Sequence, residues 1–171
     1  VPIERLNRYT RKNHQGAIAF ICQTTYQHID NIIPTLYEEG KSPFIVVLDG
    51  ITDVRNFGAI ARTCECAGVD AIIISSKGGA PVNADAINTS AGALHTIPVC
   101  KENNLVEVVK YLKSSGLQIV EANSKNGTLY NEEKFEKPLA LVIGDEEYGV
   151  SPEINRLCDK HVQIPVLGSI S

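Results

Sequence analysis

The stretch "LDGITDVRNFGAIARTCECAG", residues 48–68, decides the fold. It follows "FIVV" (44–47), and an apolar run of that kind fits a strand covered on both faces. From residue 56 the spacing becomes helical: Phe57, Ile60, Ala61, Cys64 and Ala67 share one face, which would pack on a sheet. The opposite face carries Ala59, Arg62 and Cys66, one cation between small residues. A helix with so little polar surface is usually buried twice. We expect a second copy of the chain to supply the other cover, in preference to a further helix. The turn between strand and helix holds Asp49, Asp53, Arg55 and Asn56. Asn56 stands where it can cap the helix, and Gly58 lets a ligand or another backbone come close. Helical side chains lean toward the N-terminus, so a long Arg62 is expected to reach back toward the Asn56 turn.

Outward from this stretch, short apolar runs alternate with helical patterns. Strands are expected at 17–22, 44–50, 70–75, 95–99, 118–122, 139–144 and 161–166. Helices are expected near 29–39, 56–67, 83–93, 104–115 and 151–158, the last opening on Ser151-Pro152-Glu153, a cap followed by proline. This alternation predicts an α/β protein with a parallel sheet. The boundary between units is expected near 14–16 or near 40–43, where "EEGKSP" breaks the pattern. We therefore divide the chain into a lead-in segment, 1–40, and an α/β domain, 41–171.

Composition is that of an ordinary globular protein with a net charge of −4. No apolar run approaches the roughly 20 residues of a membrane helix, and no signal-peptide pattern opens the chain. The chain begins at Val1 and contains no Met, so we expect a fragment of a longer protein. Five cysteines without a repeated C-x-x-C spacing argue against a disulfide framework or a zinc site. Reduced, mostly buried thiols in a cytoplasmic protein are the expectation. The histidines, at 14, 28, 95 and 161, stand singly, and no metal is expected. The mild acidity argues weakly against a nucleic-acid partner, except in "ERLNRYTRKNH" (4–14), where Arg5, Arg8, Arg11, Lys12 and His14 gather. That segment reads equally as a solvated terminus or as a phosphate contact.

No G-x-G-x-x-G follows a strand, and neither a Walker A sequence nor a G-x-S-x-G elbow is present. Three polar clusters remain: "DGITDVRNFGAIART" (49–63), "IGDEEYGVSPE" (143–153) and "IPVLGSIS" (164–171). Each follows an expected strand, where ligands bind in open α/β sheets. Singly they are weak signals, since Asp53 can be a turn former and Glu146 a surface charge. The order D-x-x-N-x-G-x-x-x-R, G-x-E-x-x-G, I-P-x-x-G-S is specific.

In that order the chain resembles the SpoU (TrmH-like) branch of the SPOUT RNA methyltransferases, over roughly residues 44–171. The resemblance implies a parallel α/β sheet with helices on both faces and a C-terminal trefoil knot. It implies catalytic roles for Asn56, Arg62 and Glu146. It places the methyl donor, S-adenosylmethionine, at Gly144, Ile164 and Leu167, bordered by Ser90 and Gly92 of "NTSAGAL" (88–94). "RKNHQGAIA" (11–19) is similar to the linker of the ribosomal-RNA guanosine 2′-O-methyltransferases, which carry a small RNA-binding domain upstream. Arg11, Lys12 and Arg55 are the expected substrate contacts. Three departures stand out. Val54 replaces a common Pro, Asp145 and Glu147 replace small residues, and the S-L-N-x-S segment of the family would fall beyond Ser171.

The expected function is thus 2′-O-methylation of a ribose in structured RNA by a homodimer, with ribosomal RNA (guanosine) ahead of transfer RNA. A transfer-RNA enzyme and an inactive RNA-binding homologue are the alternatives. An ordinary Rossmann oxidoreductase is disfavoured by the missing glycine fingerprint. Free arginine is a poor base because its pKa exceeds about 12. Arg62 is expected to hold phosphate and the developing alkoxide, although the resemblance also allows it to be the base.

Overall fold

The computed structural model describes residues 3–8, 10, 15, 25–123, 126–135 and 138–165. After a short helix α1 (Ile3–Leu6) come α2 (Ile29–Glu38), β1 (Phe44–Asp49), α3 (Val54–Cys66), β2 (Ala71–Ser75) and α4 (Ala84–Thr89). A 3₁₀ turn (Ala93–His95), β3 (Val99–Glu102), α5 (Leu105–Ser114), β4 (Gln118–Asn123) and β5 (Thr128–Leu129) follow, then β6 (Leu139–Gly144), α6 (Pro152–Asn155) and β7 (Lys160–Gln163).

The strands form one seven-stranded sheet in the order β3-β2-β1-β6-β4-β7-β5. Every pairing is parallel. Parallel strands need crossovers that lie on the faces, and here helices cover both. On one face, α2, α5 and α6 bury Ile33, Val109, Leu112 and Ile154 against Ile45, Val47, Ile73, Ile119 and Val142. On the other, α3 and α4 bury Phe57, Ala61, Cys64 and Ala86 against Val46, Leu48, Ile72 and Ile74. The alternation within "IVVL" therefore sends Ile45 and Val47 one way and Val46 and Leu48 the other.

The order also explains where a ligand can sit. From β1 the chain moves outward through β2 and β3, then returns to β4, leaving a gap that β6 fills. The carboxyl ends of β1, β6 and β4 are thus neighbours at a point where the strand order reverses, the usual ligand crevice of such sheets.

Several elements differ from the sequence reading. The helix expected over 83–93 stops at Thr89, because Ala91 and Gly92 have φ of 52° and 90° and a right-handed helix cannot continue through them. The strand expected at 95–99 starts at Val99, since the 3₁₀ turn occupies Ala93–His95. The two-residue β5 was not anticipated. The strand expected at 17–22 and the last step of the expected knot, 166–171, lie outside the described residues. Within the expected lead-in segment, Ile29, Ile32, Ile33 and Leu36 join the main core. Gln27 N–H bonds Val99 O at 2.9 Å, so residues 27–38 pack as part of the α/β domain.

Candidate active site

The first helix turn is set by Asp53, and here the structure corrects the sequence reading. Asp53 Oδ1 accepts from Arg55 N–H and Asn56 N–H, both at 2.8 Å. It is the N-cap, and the helix starts at Val54. Both residues are capping types, but one carboxylate satisfying two orphan donors leaves Asn56 nothing to cap. The Asn56 side chain instead donates through Nδ2 to Glu146 Oε1. The first two sequence clusters thus meet across a gap of 90 positions.

Two further contacts bind the same loops. Ser151 N–H donates to Asp49 Oδ2 at 2.7 Å, tying the end of β1 to the start of α6. Gly50, at φ 81°, leaves room for Asp145, whose Cβ would lie 3.2 Å from an added Cβ. The 145–149 segment is a closed turn: Asp145 and Gly149 exchange backbone hydrogen bonds at 2.9 and 3.1 Å. Asp145 Oδ1 also accepts from Glu147 N–H at 2.8 Å and Tyr148 N–H at 2.9 Å. The Tyr148 and Glu147 amides hold its carboxyl below the usual range. Of the two acids noted as departures, Asp145 thus bonds its own loop, whereas the Glu147 side chain is exposed. Gly144 is obligatory here, because a Cβ would lie 2.1 Å from Gly149 C and 2.2 Å from Val150 N.

Beside this turn lies a cleft of about 380 Å³, lined by Gly144–Val150 on one side and by Glu121, Ala122, Asn123, Asn126 and Asn155 on another. That volume is within the roughly 300–1,000 Å³ of small-molecule sites. Four carboxylates and no lysine or arginine line it, which suits a neutral or cationic ligand and disfavours a phosphate. Among the described residues, no group of His, Cys, Asp or Glu is arranged to hold a metal ion.

The other expected residues fall elsewhere. Arg62 is exposed and lines a different depression with Ser90, Ala91, Gly92 and Thr96. Six helix positions separate it from Asn56, which places the two about 120° apart on the helix. The expected reach back to the Asn56 turn is not made within one chain, and Glu146 pairs with Asn56 instead. Ser90 is buried, donates to Ile87 O at 2.9 Å and accepts from Leu94 N–H at 3.3 Å. Its hydroxyl serves the turn at the left-handed Ala91–Gly92 pair. Ser90 and Gly92 thus stand beside Arg62 and not in the cleft around Gly144. Gly58 answers to a helix and not to a ligand: an added Cβ would lie 2.7 Å from Thr89 Cβ and 2.8 Å from Ala86 O. Arg55 is exposed, and Ile164 is 58% exposed. Leu167, Arg11 and Lys12 are outside the described residues. Sequence reasoning gave no role to Asp49, Glu121 or Asn155. Asp49 was legible as an acid ending an apolar strand. Glu121 had a similar signal, a lone acid inside "IVEA".

The model of the SpoU rRNA Methylase family matches residues 43–171. The chain belongs to that family. A putative TrmH family tRNA/rRNA methyltransferase of Staphylococcus saprophyticus is 32% identical over the whole chain, which spans 69% of that relative. The 23S rRNA (guanosine-2′-O-)-methyltransferase RlmB of Yersinia pestis is 36% identical over 92% of the chain and 64% of its own length. Among solved structures, the SpoU methyltransferase AviRb of Streptomyces viridochromogenes, in complex with AdoMet, superposes with a TM-score of 0.67. The two share 26% identity over 77% of this chain and 52% of AviRb. The chain therefore spans about half to two thirds of the length of these proteins.

Among the described residues Cys64, Cys66, Cys100 and Cys158 are free thiols, and Cys66 is exposed. Burial pushes Cys64 up to about 11 and Cys100 and Cys158 up to about 12. Such thiols stay protonated and unreactive at neutral pH. Among the described residues, no helix is long and apolar enough to cross a membrane.

Proposed function

We propose that this chain is the catalytic domain of an S-adenosylmethionine-dependent RNA 2′-O-methyltransferase, acting on a ribose of structured ribosomal RNA, a guanosine ahead of other nucleotides. One observation carries the reading: Asn56 of the first motif and Glu146 of the second are hydrogen-bonded partners at the rim of the cleft around Gly144. The family match and the 36% identity to RlmB support the reaction and the substrate class. The AdoMet complex of AviRb supports the donor.

The cleft fits the donor in charge and size, and the Gly144–Val150 turn with Asn123, Asn126 and Asn155 would hold it. Its sulfonium supplies an activated methyl group. The protein's task is then to align the ribose 2′-oxygen and dispose of its proton. Asn56, oriented by Glu146, positions the ribose. Arg62 grips the adjacent phosphate and the developing alkoxide with its planar fork. Because Arg62 points away from its own Asn56, we assign it to the cleft of a second copy, which makes the enzyme an obligate homodimer. The C-terminal trefoil knot and the donor contacts of Ile164 and Leu167 implied by the resemblance are part of this proposal. Arg11, Lys12 and Arg55 contact phosphates, and the enzyme works in the cytoplasm.

The test uses the full-length protein. Calorimetry measures S-adenosylmethionine binding, and 2′-O-methyl mapping compares ribosomal and transfer RNA from cells with and without the gene. Loss of one ribosomal ribose methyl is the expected result. Absence of saturable donor binding would favour an inactive homologue, and loss confined to transfer RNA would reassign the substrate.

A further inference from the structure

Glu121 is the only charged side chain in the buried set among the described residues, at 2% exposure. A buried carboxylate is costly unless its oxygens are satisfied, and an apolar residue would fill the same space without that penalty. Glu121 is satisfied by three elements. Asn155 Nδ2, at the end of α6, donates to Oε2 at 2.7 Å. His161 Nδ1, on β7, lies 2.5 Å from the same oxygen. Asn123 Nδ2, on β4 itself, lies 3.3 Å from Oε1. Glu121 and His161 are register partners in the β4–β7 ladder, so the contact spans two adjacent strands at their carboxyl ends.

The place of this cluster matters more than its energy. Glu121, Asn123 and Asn155 all line the donor cleft. Asn155 closes the helix that follows the Gly144–Val150 wall, and His161 stands three residues before Ile164 on the strand feeding the expected donor loop. At roughly 3.3 Å per residue, that is about 10 Å of chain. We propose that Glu121 is a positioning residue for the methyl donor: its carboxylate latches α6 and the end of β7 to β4, presetting the cleft and the path of the chain into Ile164–Pro165. The latch rests on the reading of the cleft as the donor site. It acts through Asn155 and His161, which share Oε2, with Asn123 on Oε1; Glu121→Gln keeps the shape but removes the charge and offers one acceptor oxygen where the carboxylate offers two.

The experiment takes the full-length protein and the variants Glu121→Gln, His161→Gln and both together. His161 is 40% exposed on its side chain, so its replacement leaves the core intact even if Glu121→Gln does not fold. Calorimetry reads S-adenosylmethionine affinity, steady-state methylation separates KM for the donor from kcat, and thermal melting reads stability. Each single variant should weaken donor binding roughly tenfold or more, with kcat at saturating donor changed less than about threefold. The double variant should be no worse than the poorer single, because both remove one latch. Single variants that melt lower yet bind the donor like the parent would make the cluster merely structural and overturn the proposal, as would losses that multiply in the double variant. A parent that does not bind the donor at all would instead overturn the donor reading and the latch with it.

Discussion

At the scale of single residues, the site is a matter of which polar group takes which partner. Asp53 takes the helix amides, and that frees Asn56 for Glu146. The two roles predict opposite phenotypes. Asp53→Ala should cost about 1 kcal/mol of stability through the lost cap, with turnover affected only through folding; chemical denaturation checks this. Asn56→Ala should leave the melting temperature near the parent's while single-turnover methylation falls roughly a hundredfold, with donor affinity unchanged. Arg62→Lys and Arg62→Ala should both do the same, because a lysine keeps the charge but loses the two-pronged grip. A parent-like rate in Arg62→Ala would make Arg62 an interface residue without a chemical role. The sequence showed that Asp53 and Asn56 were both capping types. It held nothing to say which would cap, since that is settled by Glu146 arriving from 90 residues away.

At the scale of elements, the legible parts are those whose physics is local. The apolar runs at 44–48, 71–74 and 139–143 are strands of the sheet interior, with only Phe44, Leu141 and Ile143 among them left half-buried, and such runs announce themselves without knowledge of their neighbours. The helical face of Phe57, Ala61 and Cys64 was likewise readable and is buried. What escaped depends on distant pairing. The two residues of β5 are a strand only because β7 runs beside them, and the Glu121–His161 contact needs β4 and β7 to be neighbours. The left-handed Ala91, which ends α4 early, is an alanine where glycine or asparagine would have signalled the turn. One inter-element tie gives a pH prediction. Asp159 accepts from Lys113 Nζ at 2.6 Å and from Ile119 N–H at 2.9 Å, joining α5, β4 and the approach to β7. Burial pushes its carboxyl up, but Lys113 and the Ile119 amide outweigh it and hold it below the usual value. A carboxyl depressed on folding contributes stability above its unfolded pKa, about 3.9, and loses it as pH falls through the folded value. Melting curves should therefore show the parent losing stability below about pH 4 more steeply than Asp159→Asn.

At the scale of the whole molecule, the sheet is covered unevenly. Over β1 and β6 the α3 side leaves an apolar depression of about 310 Å³, walled by Phe44, Val46, Leu141 and Ile143 of the sheet and by Ala59, Ile60 and Thr63 of the helix. Ala59, Arg62 and Cys66 are exposed in the single chain. An apolar surface of this kind has the character of an association face, and Arg62 stands on the same helix, in the neighbouring depression beside Ser90 and Gly92. Our assignment of Arg62 to a second copy's cleft makes the same demand on independent grounds, because Arg62 and Asn56 point about 120° apart on one helix. The two arguments meet in one variant. Ala59→Glu puts an unpaired carboxylate at the centre of that face, where an interface of at least roughly 1,000 Å² would have to desolvate it. Sedimentation at micromolar concentration should show the parent as a dimer and the variant as a monomer with an unchanged far-ultraviolet spectrum. The variant should methylate at a rate indistinguishable from Arg62→Ala, because separating the copies removes the arginine from the site as surely as truncating it does. Mixing Asn56→Ala with Arg62→Ala chains should then restore activity, since some mixed dimers hold one intact pair of Asn56 and Arg62 in a single cleft. A monomeric parent, or a mixture no more active than either variant alone, would return Arg62 to the chemistry of its own chain.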